Sequence, residues 1–491
     1  MRYDTVIIGS GLSGLTCALL LARTGRRVLV LEQHRRPAPV VNGFRRDGLY
    51  FDSGFHYAGG LGPGGPLELF FRHLGLLDRL QLFPYDPQGF DQLRFAGSGE
   101  TILLPVGFAA IRASLSERFP AAAGAIAAYL GEIERSWRNF PYLDLDADLA
   151  DFGLEVVHGT SLGERLAAFS AWPQLQSLFS MHSLLYGLPP DETPQIYNAQ
   201  IAGSYYHSVH GIVGGGERLI EAVLPLLQEA GGEIRCAAQV SGILTGTDAV
   251  RGVRLTDGEE LAAAEVIVTL NPALLPGLLP PGVLRPAYLK RLNNLRQTCS
   301  AYIVSARSAG SLEFLRGRNL FFQPQPGLFP TCADLPLEQR AFYLAGADQG
   351  QQGPIRGVIG IVPTQFVEVE RWAALPGGRT ADYRDWKEHQ LERLLRLFRR
   401  HCPELGGLEA LDLATPLTLR DYALAPQGAI YGVGHYLGQY NPQPATRLPG
   451  LYLSGQAVTA PGLLGTVVAS YLTCGTILGH DRLRGELKAC R

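Results

Sequence analysis

The chain has 491 residues, 46% of them hydrophobic and 18% charged, and its formal net charge is −2. That length exceeds what one hydrophobic core serves and predicts two or three domains, while the near-neutral charge, with no dense basic patch, excludes nucleic acid as a partner. Seven cysteines, at 17, 236, 299, 332, 402, 474 and 490, lack metal-ligand spacing, and their odd number without an export signal predicts reduced thiols and a cytoplasmic location.

The first element is an apolar run over residues 3–8, read as a strand. Gly9-Ser10-Gly11-Leu12-Ser13-Gly14 follows, then a helical stretch, then Val28-Leu29-Val30-Leu31 closing on Glu32 with Gln33 beside it. Glycines at this spacing between a strand and a helix, with an acidic residue about twenty positions on, form a dinucleotide fingerprint. Gly9 permits the tight turn, Gly11 lets the backbone approach a pyrophosphate, and Gly14 lets the helix pack close to the sheet. Leu12 and Ser13 open a helix whose unpaired N–H groups and positive dipole end suit phosphate. Glu32 accepts from ribose hydroxyls and disfavours a 2′-phosphate, so FAD or NAD fits better than NADP. The run 6–22 is as apolar as a signal-peptide core, but Met1-Arg2-Tyr3-Asp4 is not clearly basic and the glycine spacing favours the Rossmann turn.

The segments 67–200 and 290–440 alternate helical and extended patterns rich in Leu, Phe and Tyr, without a fingerprint of their own. Two stretches read either as cavity walls or as core packing: Phe179-Ser180-Met181-His182-Ser183-Leu184-Leu185-Tyr186 and Ser204-Tyr205-Tyr206-His207-Ser208-Val209-His210. Between the two segments, Gly214-Gly215-Gly216-Glu217 opens a helix ended by Gly231-Gly232. Three β-type stretches follow, 233–236 with 240–244, 252–255 and 264–270, joined by turn residues such as Asp257-Gly258. Together with the N-terminus they resemble the completion of an FAD-binding fold, with a backbone group near Val240 meeting the adenine.

Further on, the Arg-rich run 391–400 reads as an amphipathic helix with a solvated face, or as one that leans on a membrane surface. The uncharged stretch 448–478 is long enough to span a bilayer, yet its Pro449, Gly450, Gly455, Gln456, Pro461, Gly462 and Gly465 break it into strand, loop and helix. The helix beginning near Gly462, Leu464 and Gly465 can aim its N–H groups at the pyrimidine side of a reduced flavin, where negative charge collects.

With these segments in hand, the chain resembles the phytoene desaturase, carotenoid isomerase and retinol saturase branch of the FAD-dependent amine-oxidase-like flavoproteins, over nearly its full length. It is closest in motif to the retinol saturases, through residues 47–57 (Asp47-Gly48-Leu49-Tyr50-Phe51-Asp52-Ser53-Gly54-Phe55-His56-Tyr57), residues 426–432 with His435, and Gly455-Gln456. Desaturases and isomerases usually carry an acidic residue where Gln456 stands. The chain departs from the pattern where Val40-Val41-Asn42-Gly43-Phe44-Arg45 replaces the common Gly-Gly-Arg. Its only lysines, Lys290, Lys387 and Lys488, do not resemble the flavin-proximal lysine of amine oxidases, which argues against amine oxidation.

The resemblance implies an α/β fold: a Rossmann-type FAD-binding domain (amine-oxidase/phytoene-desaturase-like) with an α+β substrate domain. The FAD-binding domain is expected over 1–66, 205–289 and 441–491, and the substrate-binding domain with a helical portal region over 67–204 and 290–440. FAD is the implied cofactor, with NADPH or NADH as reductant although no second dinucleotide fingerprint is present. The expected reaction is hydride transfer from flavin N5 to a conjugated, hydrophobic polyene, with a proton to a second carbon. Reductive cyclisation of a polyene tetramate, desaturation or isomerisation of an isoprenoid, and non-catalytic carriage of a lipid stay open beside it. His56 and Tyr57 are the candidates for proton donor or flavin contact, with Tyr431 and His435 next. Peripheral membrane contact stays open, and no metal is expected.

Overall fold

In the computed structural model, which describes residues 2–97, 99–147, 157–332, 334–374 and 379–491, the two fingerprint runs lie side by side as parallel strands, Arg2–Ile8 and Val28–Leu31. They belong to a seven-stranded sheet ordered Glu233–Arg235, Val28–Leu31, Arg2–Ile8, Glu260–Val268, Val250–Leu255 and Val240–Thr245, with Leu451–Leu453 also pairing to Glu260–Val268. The alternation of side chains across a strand decides the packing. Val6, Ile8, Leu29, Leu31, Val266 and Val268 enter one apolar core, and Ile7, Val28, Val30 and Ile267 enter another. The second of these cores contains the buried fingerprint helix, Leu12–Ala22.

Two details of this sheet differ from the reading of the sequence. The run Glu233–Arg235 is no part of the meander; it crosses to the far edge and pairs in parallel with Val28–Leu31. The strand expected from residue 264 begins at Glu260, because its first half alternates exposed and buried positions and shows no continuous apolar run.

A second sheet of seven strands is ordered Leu408–Ala414, Ser300–Ser308, Gly357–Thr364, Phe342–Gly346, Asn319–Gln323, Asp91–Phe95 and Thr101–Leu104. All its pairings are antiparallel except Asn319–Gln323 with Asp91–Phe95. On one face Leu320, Phe322, Phe342 and Leu344 pack against Leu394, Leu397 and Phe398 of the helix Ala381–His401. The apolar residues of the Arg-rich run thus cover the sheet. The other face packs on Ile126, Tyr129, Phe179 and Tyr206 from helical segments.

The boundary expected between residues 66 and 67 falls later in the chain. The helix Pro66–His73 places Leu67, Phe70 and Phe71 in the core with the fingerprint helix, because its apolar face matches that surface and nothing in its own sequence names the core it joins. The stretch 448–478 resolves into the strand Leu451–Leu453, a loop and the helix Gly462–Leu478. Among the described residues no helix is long and apolar enough to cross a membrane.

A Cβ at Gly14 would stand 2.0 Å from the carbonyl oxygen of Gly9. Gly14→Ala is therefore expected to push the helix off the sheet and cost about 1–3 kcal/mol, read as a lower urea midpoint, whereas Gly11→Ala, with nothing within 4 Å of its Cβ position, leaves the midpoint unchanged.

Candidate active site

Gly9 takes φ +101°, and its N–H donates to Leu31 O at 2.8 Å, which closes the turn. Gly11 caps the fingerprint helix without any side-chain hydrogen bond, so the first-turn N–H groups stay available. Leu12 and Ser13 are buried. Ser13 Oγ is 2.8 Å from Ser454 Oγ and 3.0 Å from Ser470 Oγ, and Ser470 Oγ also donates to Ser13 O at 3.1 Å. These contacts bring Gly455 beside Ser13, with 3.9 Å between its Cβ position and Ser13 Cβ.

At the other end of the fingerprint, Glu32 is held by three donors. Its Oε2 accepts from Ser10 N (3.0 Å) and Ser10 Oγ (2.6 Å), and its Oε1 from His34 N (2.9 Å). A carboxylate offers about four acceptor directions, which leaves one for a ligand. Ala238 N donates to Glu32 O at 2.8 Å and Ala237 N to His34 O at 2.7 Å. That pairing carries Val240 to the same corner, and Gln33 stands there half-buried.

A cleft of about 610 Å³ opens over the first turn of the helix Gly462–Leu478. Gly462, Leu464 and Gly465 line it, facing Ala58, Gly59, Leu185, Ile201 and Tyr205, and among the described residues no charged side chain takes part. A Cβ at Gly465 would lie 2.2 Å from Ala460 O, and one at Gly59 would lie 2.6 Å from Tyr205 N, so both turns need glycine. No side chain caps this helix either. Of the two stretches read as walls or core, Leu185, Ser204 and Tyr205 line the cleft, while Phe179, Met181, His182 and Tyr206 are packed in the interior.

The four acid–base candidates separate. Tyr57 is buried and its hydroxyl donates to Asp91 Oδ2 at 3.1 Å. Asp91, fully buried, also meets His182 Nε2 at 2.8 Å and accepts from Asn319 Nδ2 at 2.9 Å, and Asn319 Oδ1 accepts from Tyr343 OH at 2.9 Å. The Tyr57 hydroxyl is thus engaged in an interior network, and burial beside that carboxylate pushes its pKa far up. Its ring still backs the cleft, 4.8 Å from the ring of Tyr205.

His56 is half-buried and lines a second, polar cavity; desolvation pulls its pKa down to about 4. At that value it is neutral at pH 7. His435 is likewise held down to about 4 by burial. It stacks on Tyr197 (4.9 Å, 21°) with Nε2 3.1 Å from Gln456 O, so it supports the Gly455-Gln456 turn. Tyr431 is half-buried against Gly187, its N–H donating to Thr298 Oγ1 at 3.1 Å. Sequence reasoning missed Asp91, since a lone aspartate at the start of a strand carries no spacing signal; it named Asp52 only within the 47–57 motif and Tyr205 only as part of a wall.

These residues fit a flavin dinucleotide. The open face of Gly11 and the uncapped helix would take the pyrophosphate, Glu32 the ribose hydroxyls, and the uncapped helix Gly462–Leu478 the flavin ring. Residues 12–302 match the family model for "Flavin containing amine oxidoreductase". The chain belongs to that family. It is a flavin-dependent oxidoreductase, and the dinucleotide turn makes the flavin FAD. It is 27% identical to "All-trans-retinol 13,14-reductase" of Homo sapiens over 99% of this chain and 87% of that one, and 26% identical to "Hydroxyneurosporene desaturase" of Cereibacter sphaeroides over 92% of each. An oxidoreductase structure from Methanosarcina mazei superposes with a TM-score of 0.68 at 18% identity, over 96% of this chain and 99% of that one, which shows a shared fold. The family resemblance seen in the motifs is borne out.

Gly11→Val is expected to fill the open phosphate face and weaken FAD binding about tenfold or more, one lost charged hydrogen bond being worth roughly 1.5–3 kcal/mol; the flavin-to-protein absorbance ratio after dialysis measures it. Asp91→Ala strands three buried donors and is expected to cost about 3–5 kcal/mol, seen as a lower urea midpoint, with Asp91→Asn losing less.

Proposed function

We propose that this protein is an FAD-dependent reductase that saturates a carbon–carbon double bond of an apolar, conjugated polyene, with NADPH or NADH as the electron source. The observation that carries the reading is the 610 Å³ cleft without a charged lining residue over the start of the helix Gly462–Leu478. A charged ammonium substrate needs a carboxylate partner when it is desolvated, and among the described residues none lines this cleft. A polyene needs only burial, and about 300 Å² of carbon at roughly 25 cal/mol per Å² contributes roughly 7 kcal/mol before association costs. The names of the relatives support a polyene: a retinol reductase aligned over 99% of this chain, and a desaturase acting on the same kind of bond in the opposite direction.

When bound, the flavin exchanges a hydride with carbon. The chain's own residues do the rest. The uncapped N-terminal amides of Gly462–Leu478 would hold the flavin ring and favour negative charge on it. Tyr205 and Leu185 keep water from the cleft wall, and Gln456 is held by His435.

The test is an anaerobic visible spectrum of the holoenzyme, first with NADPH or NADH and then with all-trans-retinol as probe. Bleaching by the nicotinamide, recovery of the flavin band on adding the polyene, and a product heavier by two hydrogens are expected. A flavin bleached instead by a saturated isoprenoid, and not reoxidised by retinol, overturns reduction in favour of desaturation; a polyene product of unchanged mass, with the flavin left bleached, points to isomerisation and also sinks it.

A further inference from the structure

Among the described residues, the polar side chains that line the apolar cleft are Gln200, Ser204, Tyr205 and Thr459. Three of them send a donor into the protein. Gln200 Nε2 donates to Asn139 O at 3.2 Å, Ser204 Oγ to Ile201 O at 2.7 Å, and Thr459 Oγ1 to Gly465 O at 2.7 Å. Tyr205 instead packs its ring against those of Tyr57 and His182, at 4.8 and 5.6 Å.

A backbone carbonyl can only accept, so the Asn139 contact settles which way round the Gln200 amide lies. Gln200 Oε1 is then left with no donor among the described residues, although the residue is only 9% exposed. Ser204 is 3% exposed and has its one hydroxyl proton committed, and its Oγ lone pairs receive no donor among the described residues either. The two residues stand four apart on the helix Gln195–His207 and so share a face. Against Ser204 the opposing wall is Gly59, where a Cβ would stand 2.4 Å from Ser204 Oγ; the missing side chain keeps that oxygen uncovered.

Two acceptors side by side in an apolar cleft select one kind of ligand group. A carboxylate would meet like-signed oxygens with no cation lining the cleft to offset them. A hydrocarbon or an ether would cover both oxygens and leave them unpaired. A hydroxyl gives its proton to one and lies beside the other.

We propose that Gln200 Oε1 and Ser204 Oγ form a subsite for a hydroxyl carried by an otherwise apolar polyene, and that this pair sets a preference for alcohols over ethers, hydrocarbons and acids. The inference rests on the polyene reading above for the body of the ligand, whereas the group at its end is read from the two acceptors. The subsite holds the hydroxyl and takes no part in the exchange of hydride, so it governs affinity and orientation.

The oxidised holoenzyme, without any reductant, is titrated with all-trans-retinol, its methyl ether and retinoate, and binding is measured by isothermal titration calorimetry. Retinol should bind about tenfold more tightly than the ether, which keeps the chain and loses the proton, and more tightly still than retinoate. Gln200→Leu and Ser204→Ala, at unchanged flavin content, should each shrink the retinol-to-ether ratio towards one while leaving affinity for the ether within about twofold. Equal affinities for retinol and the ether in the wild type, or a ratio that either variant keeps, overturns the subsite and leaves the polyene reading standing. Loss of flavin from both variants assigns the acceptors to the cofactor and also overturns the subsite. Binding of none of the three compounds to the wild type overturns the subsite and the polyene reading together.

Discussion

Two helices from opposite ends of the chain meet at Ser13, Ser454 and Ser470, and the site is organised around that joint. Each hydroxyl is buried, so each must find its partner within the protein, and the 2.8 and 3.0 Å contacts satisfy them only when the helix Gly462–Leu478 lies against Leu12–Ala22. Gly14, packed on Gly9, sets the first helix on the sheet, and Gly465, packed on Ala460, shapes the start of the second. Once the joint is closed, two uncapped helix N-termini belong to the same domain, one beside the phosphate turn and one beneath the apolar cleft. A flavin dinucleotide asks for that pairing.

The segment from Asp52 to Gly59 divides two environments of opposite character. Ala58 and Gly59 face the cleft without charged groups, while Asp52 and His56 face the polar cavity. Tyr57 lies between them and is tied by Asp91 to His182 and Asn319. Burial then sets the protonation states. It removes charge from His56 and His435 and retains a proton on Asp52 near neutral pH.

The fingerprint was legible in the sequence because each of its glycines answers a local demand: a positive φ at Gly9, a close approach at Gly14, and open space at Gly11. The strand, loop and helix of 448–478 were legible for the same reason, as Pro and Gly punctuate what hydropathy alone would read as one span. The outer half of Glu260–Val268 was not, because alternating exposure hides a strand from a search for apolar runs. The membership of Pro66–His73 in the first core was not legible either; an amphipathic helix declares that it has a buried face and says nothing of what covers it. His56 was named from its neighbourhood and residue type, but a histidine's charge depends on surrounding groups that converge from five or six segments.

The order of turns and strands and the dinucleotide motif were determined by the sequence itself, since each follows from contacts among residues a few positions apart. Only the tertiary structure decided that Tyr57 serves Asp91, that no charged side chain among the described residues lines the cleft, and that Asp52 shares a cavity with His56. Those facts depend on desolvation and on partners tens to hundreds of residues away, and no local pattern encodes either.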